Sequence, residues 1–183
     1  PIADEHLPDI PFFKPADDAP EMKYLHERRA ALGGYLPQRR QQADEKLPVP
    51  ELAAFKAVLD PTAEGREIST TQAYVRIISI LLRDANLGQR LVPILVDESR
   101  TFGMEGLFRQ IGIYNREGQL YEPVDKDQVS FYREDKAGQI LQEGINEAGA
   151  MASWIAAATS YSTNNRIMVP FYTFYSMFGL QRI

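Results

Sequence analysis

"RLVPILVDE", residues 90 to 98, decides the fold. From Leu91 to Val96 every side chain is apolar, over a stretch of strand length and without alternation. A strand with one face in water alternates apolar and polar residues, whereas one covered on both faces has no reason to. The run therefore predicts a strand of a parallel sheet with helices on either side. Upstream, "EISTTQAYVRIISILLRDANLG" (67–88) predicts a helix capped by Ser69 or Thr70 and stopped before Gly88. Its wide apolar face includes Ala73, Ile77, Ile80 and Leu81. A shorter helix, "PELAAFKAVLD" (50–60), starts after Pro50, with Leu52, Phe55 and Leu59 on one face.

Downstream, Ser99 to Asp135 is glycine-punctuated and mixed in polarity, which suits a loop-rich excursion with a short helix near "MEGLFRQIG" (104–112). "GQILQEGI" (138–145) is short enough for a second strand, and "NEAGAMASWIAAATSYS" (146–162) reads as the helix after it. "IMVPFYTFY" (167–175) is a third strand and "SMFGLQRI" (176–183) the start of a further helix. Helix, strand, excursion, strand, helix, strand, helix is the order of an α/β domain with a mainly parallel sheet flanked by helices. Pro93 and Pro170 blur the limits of two strands.

Residues 1–50 differ in character. Five prolines in the first twenty residues favour extended backbone. One amphipathic helix is predicted at "APEMKYLHERRAALGG" (19–34), with Met22, Leu25, Arg29 and Leu32 on neighbouring turns and Gly33-Gly34 as its stop. Linker composition then returns, so 1–50 reads as a connector arm and 51–183 as the domain. The chain opens on Pro1 and closes on an apolar, helix-like run, as expected of a piece of a larger protein.

With 183 residues, 44% of them hydrophobic and 25% charged, the composition is that of a globular domain plus some connecting chain. The net charge of −5 gives no reason to expect a nucleic-acid partner. Cysteine is absent, which excludes disulfides and thiol chemistry and fits a cytoplasmic protein. No apolar run reaches the roughly 18 residues of a membrane span.

Parallel sheets bind ligands beyond the carboxyl ends of their strands. Asp97 and Glu98 end the first strand, Glu147 opens the helix after the second, and Tyr172, Phe174, Tyr175 and Phe178 crowd the end of the third. These acids and the aromatic cluster suit a flat nitrogenous ring, which the aromatics stack on and a carboxyl hydrogen-bonds. On spacing alone the plainer alternatives come first. Glu147 is a first-turn glutamate favoured by the helix dipole, Asp97-Glu98 a solvated loop entry or cap, and the aromatic strand ordinary core. His6 and His26 lie in the connector, where a solvated histidine is the ordinary case. No phosphate-binding glycine loop and no metal-ligand cluster is visible. The residues by themselves give an α/β domain with a possible ring site and no named reaction.

"VPILVDESRTFGMEGLFRQIGIY" (92–114) and "GQILQEGINEAGAMASWIAAATSYSTNN" (138–165) resemble the homodimeric type of pyruvate dehydrogenase, the thiamine-diphosphate-dependent first component of the bacterial pyruvate dehydrogenase complex. "PFYTFYSMFGLQR" (170–182) and "YLHERRAALGGYLPQRR" (24–40) resemble it too, so the likeness spans essentially the whole chain. The resemblance implies a middle fragment: the end of a connector and a pyrimidine-binding domain truncated at its C-terminus. It implies that Glu147, in the step Gly144-Ile145-Asn146-Glu147, bonds the pyrimidine nitrogen of the cofactor and favours its imino tautomer. An apolar pocket around that carboxyl is expected to disfavour its charged form.

The same likeness places Ile145 at the cofactor, Asp97 and Glu98 in the active-site channel with Glu98 in the hydrogen-bond network around Glu147, Phe178 as the stacking ring and Tyr175 as a hydroxyl near the reacting centre. Glu143 has no catalytic role. Magnesium and diphosphate ligands are expected outside this chain. The partners implied are a second subunit, pyruvate and a lipoyl-bearing acetyltransferase component, and an isolated fragment is expected to be inactive. Another thiamine enzyme, a transketolase or a different 2-oxo acid dehydrogenase, is the alternative within enzymes; a non-catalytic subunit-assembly module is the alternative outside them.

Overall fold

The computed structural model describes residues 2–35, 39–97, 99–124 and 131–183. The chain divides into two compact units, Pro1–Arg39 and Arg40–Ile183. In the first, a 3-10 helix at Asp4–Asp9 stands within the stretch read as extended. The expected helix α1 spans Pro20–Ala31, and Arg29 donates to the carbonyl of Gly34 just beyond it. None of its residues is buried, so the face of Met22 and Leu25 has no core to meet within this unit.

The second unit carries, in chain order, α2 (Lys56–Leu59), α3 (Thr70–Arg83), β1 (Leu91–Leu95), α4 (Gly106–Gln110), β2 (Ile113–Tyr114), β3 (Glu134–Asp135), β4 (Leu141–Gln142), α5 (Glu147–Ala158), α6 (Ser160–Asn164), β5 (Val169–Thr173) and α7 (Ser176–Arg182). Strands β4, β1 and β5 form a parallel sheet in that order, with β1 in the middle and buried along its whole length. The α/β architecture is the one expected of 91–96.

The two faces of β1 explain the missing alternation. Leu91 and Leu95 pack with Ile78 and Leu82 of α3 and with Leu107 and Phe108 of α4. Val92, Ile94 and Val96 pack on the other face, with Ala150 of α5. Burying each such Leu or Ile contributes about 1.5–3 kcal/mol, so a polar side chain at any of these positions would be costly. Within the wide apolar face of α3 the deepest residues are Ile78 and Leu82, with Leu81 packed against the same core and Ile77 and Ile80 half-buried. Of its two candidate caps, Ser69 is the one used, its Oγ accepting from the Gln72 amide at 3.1 Å.

Both strand prolines sit where an N–H is dispensable. The Glu143 amide donates to the carbonyl of Leu95, so odd-numbered residues of β1 turn their backbone groups toward β4. β4 pairs only with Ile94 and Leu95, and Pro93 precedes that ladder; there the Gln139 side chain instead satisfies the Leu91 carbonyl. Pro170 is paired with Val92, which places its nitrogen on the side of β5 away from β1. The excursion holds α4 and a two-stranded parallel pair, β2 with β3, that the sequence did not suggest. The expected helix after β4 breaks at Thr159 into α5 and α6. Residues 40–45 run along this unit: Arg40 donates to the Ser162 carbonyl, and Glu45 accepts from Arg90 and from the Ile167 amide.

Candidate active site

The carboxyl ends of β4 and β5 lead directly into α5 and α7, and the two helices carry the central pair of the site. After β4 the chain turns at Gly144, whose φ of +68° belongs to the left-handed region that glycine enters without strain. Asn146 then caps α5, its Oδ1 accepting from the Gly149 amide at 3.1 Å. Glu147 is the first helical residue and only 5% exposed. A buried glutamate requires a partner. Arg182, in the last turn of α7, supplies it: Nη1 donates to Glu147 Oε1 at 2.7 Å.

The same guanidinium lies over the ring of Phe178, 5.2 Å from its centroid. Phe178 meets Tyr175 edge-on at 6.3 Å, and Tyr175 in turn packs on Phe102 at 5.1 Å. Tyr172 and Phe174 stack at 4.7 Å, with the Tyr172 hydroxyl 3.5 Å from the Glu147 carbonyl that accepts from it. Glu147, Phe178 and Tyr175 thus belong to one contiguous cluster, joined through Arg182. Phe178 and Tyr175 are 42% and 37% exposed, so each offers ring surface to a ligand.

The charge state of Glu147 differs from the expectation. Its hydrogen bond with Arg182 holds the carboxyl below its ordinary value, helped by a backbone amide and by the charge of Arg182, against an opposing effect of burial. An apolar pocket was expected to disfavour the charged form; a cation fills that place instead, and the resting group is a carboxylate. Burial, with the nearby Glu147 charge, raises the Tyr172 phenol.

Asp97 sits in a second group. Two residues past β1, it has φ +64° and accepts from Gln142 Nε2 at 2.5 Å, while Gln142 Oε1 accepts from buried Ser99 at 3.1 Å. Asp97, Ser99 and Gln142 line a cavity of about 410 Å³ together with Phe108, Tyr121 and Tyr132. Behind it, Glu134 accepts from the hydroxyls of Tyr121 and Tyr132 and from Asn115. Those donors, Tyr121 first, lower the Glu134 carboxyl, and burial followed by the Tyr121 and Glu134 contacts raises the Tyr132 phenol. Glu147 and Phe178 are not among the described residues lining this cavity.

Glu98 lies outside the described residues. Ile145 is 72% exposed on the turn before Glu147. Glu143 accepts from Ser153 Oγ at 2.5 Å, a tie between strand end and helix. Arg182 and Gln142 were not singled out from sequence, because each takes its meaning from a residue far away in the chain. Among the described residues no three His, Asp or Glu side chains gather as a metal site.

A flat nitrogenous ring would fit this chain's own residues here. A carboxylate offers about four lone-pair positions, so Glu147 can accept from a ring N–H while still engaged elsewhere. The exposed faces of Phe178 and Tyr175 are suited to a flat ring.

Residues 47–183 match the model of the family described as pyruvate dehydrogenase E1 component middle domain. Over all 183 residues the chain is 66% identical to the pyruvate dehydrogenase E1 component of Pseudomonas aeruginosa. Over the same 183 residues it is 60% identical to that of Cupriavidus necator and 54% identical to that of Escherichia coli K12. It spans 20% of the length of each of these relatives. The chain belongs to the pyruvate dehydrogenase E1 component middle-domain family.

Proposed function

We propose that this chain is the part of a pyruvate dehydrogenase subunit that holds the pyrimidine half of thiamine diphosphate, in an enzyme that decarboxylates pyruvate oxidatively and acetylates a lipoyl group. Residues 1–50 are the connector and 51–183 the pyrimidine-binding domain in this reading. The observation that carries it is a carboxylate buried at the first residue of α5, beside exposed Phe178 and Tyr175, in a chain of this family.

Thiamine diphosphate, when bound, supplies the carbon nucleophile and the electron sink. Glu147 would accept the hydrogen bond of a pyrimidine nitrogen, Phe178 would cover the ring's face, and Ile145, Asp97 and Glu98 would lie along its edge and channel. Tyr175 would present its hydroxyl toward the reacting carbon. Glu147 is ionised while Arg182 is bonded to it, so for its carboxyl to hold a proton the guanidinium must withdraw. Arg182 is half-exposed at the end of its helix, which leaves it room to do so. Magnesium and diphosphate would be held by residues elsewhere in the full-length protein, in a homodimer that meets a lipoyl-bearing acetyltransferase component in the cytoplasm. No described helix is long and apolar enough to cross a membrane.

In the full-length protein, Glu147→Gln is expected to lower thiamine-dependent pyruvate turnover by about 10²–10⁴-fold, the usual weight of a positioned acid or base. Circular dichroism should be unchanged. Full activity in that variant would refute the assignment. Parallel assays with pyruvate and longer 2-oxo acids separate it from other thiamine enzymes, and calorimetry with thiamine diphosphate and magnesium separates it from a non-catalytic assembly module.

A further inference from the structure

Gln142 ends β4, five residues before Glu147, yet its side chain reaches across to the end of β1. There it makes two bonds of opposite sense, donating to Asp97 Oδ1 at 2.5 Å and accepting from Ser99 Oγ at 3.1 Å. The two bonds fix the amide's orientation: the NH₂ faces the acceptor oxygen of Asp97 and the carbonyl faces the serine hydroxyl. A glutamate would lack the donor, and a leucine or methionine both groups. Asp97 needs such a restraint. Its φ of +64° lies in the left-handed region that strains a non-glycine residue, and such a conformation persists only where surroundings fix it. Ser99, 4% exposed, anchors the far side of the same bridge.

We infer that Gln142 is a positioning residue of the active site, its amide holding Asp97 in place at the end of β1 by bridging it to buried Ser99. The inference rests on the proposed function, in which Asp97 faces the cofactor channel. It assigns β4 two tasks: the strand leads into Glu147, and its last side chain orients the acid at the neighbouring strand's end. Gln142 acts through Asp97 and touches no reactant.

Two measurements on the full-length protein test this. The first is a thermal-stability cycle independent of activity. Gln142→Glu sets two carboxylates against each other and lowers the melting temperature; adding Asp97→Asn returns a donor to the pair with its sense reversed and recovers most of the loss. Losses that simply add would overturn the contact. The second is steady-state kinetics with pyruvate. Gln142→Leu is expected to lower kcat by about tenfold or more with KM within about twofold, as a misplaced group does. A kcat within about twofold of the parent would overturn the positioning role. A parent protein without thiamine-dependent turnover would instead refute the functional reading, and the stability cycle would still decide the Gln142–Asp97 contact.

Discussion

Arg182 reaches Glu147 from the last turn of α7, and this one contact sets the resting charge of the site. A cation near a helix C-terminus and an anion at a helix N-terminus are each favoured by the backbone dipoles, so the pair also suits both helices. Because the folded-state value of Glu147 is depressed below its ordinary 4.5, the stability it contributes is present above about pH 4.5 and is lost as pH falls further. Arg182→Gln removes the largest cause of that depression and leaves only the backbone amide to set against burial. The variant's melting temperature should therefore fall less steeply than the parent's when pH is lowered from about 5 to about 3; parallel curves would rule the pair out as a stability element. Glu147 was visible in the sequence as an acid after a Gly-Ile-Asn step, with only the family likeness favouring it over an ordinary first-turn glutamate. Arg182 carried no signal, because the fold alone brings together residues so distant in the chain.

At the scale of elements, the helices that bear the site are set by short-range devices. Asn146 caps α5 and so fixes where Glu147 begins it; Asn146→Ala should cost about 1 kcal/mol in urea unfolding, and Asn146→Asp much less. A Cβ on Gly179 would come within 2.1 Å of the Phe174 ring, so α7 seats against the end of β5 only because that residue has no side chain. Gly179→Ala should destabilise by about 1–3 kcal/mol, and a simultaneous Phe174→Leu should relieve part of it; equal losses in single and double variants would show that the close approach is not what matters. Elements long enough to show a period, or an unbroken apolar run such as 91–96, were legible in the sequence. The two-residue strands β2, β3 and β4 are too short to carry a pattern, and hydrogen bonds from neighbours in space define them. The depth order along α3 was illegible for a similar reason: its isoleucines and leucines run almost continuously, and the packing of the core chooses among them.

For the molecule as a whole, the informative feature is apolar surface. α5 is apolar on nearly every side, yet one flank packs on the sheet while Trp154 and Ile155 are 37% and 50% exposed. Met177 of α7 is 61% exposed beside Phe178 and Tyr175, so further apolar surface lies next to the candidate site. Exposed apolar surface of this kind is suited to cover by other protein or a ligand, and the chain spans 20% of the length of the relatives it matches. The 183-residue chain alone should therefore associate in a concentration-dependent way in sedimentation and show no thiamine-dependent turnover of pyruvate. Trp154 is its single tryptophan and reports on that flank directly. In the dilute isolated chain its emission should be red-shifted and readily quenched by acrylamide, shifting to the blue as association covers α5. Trp154→Glu should suppress the association while leaving the helix content unchanged, because the side chain packs outside the buried clusters. A chain that stays monomeric at high concentration, with Trp154 freely quenched throughout, would show that this surface needs no protein cover.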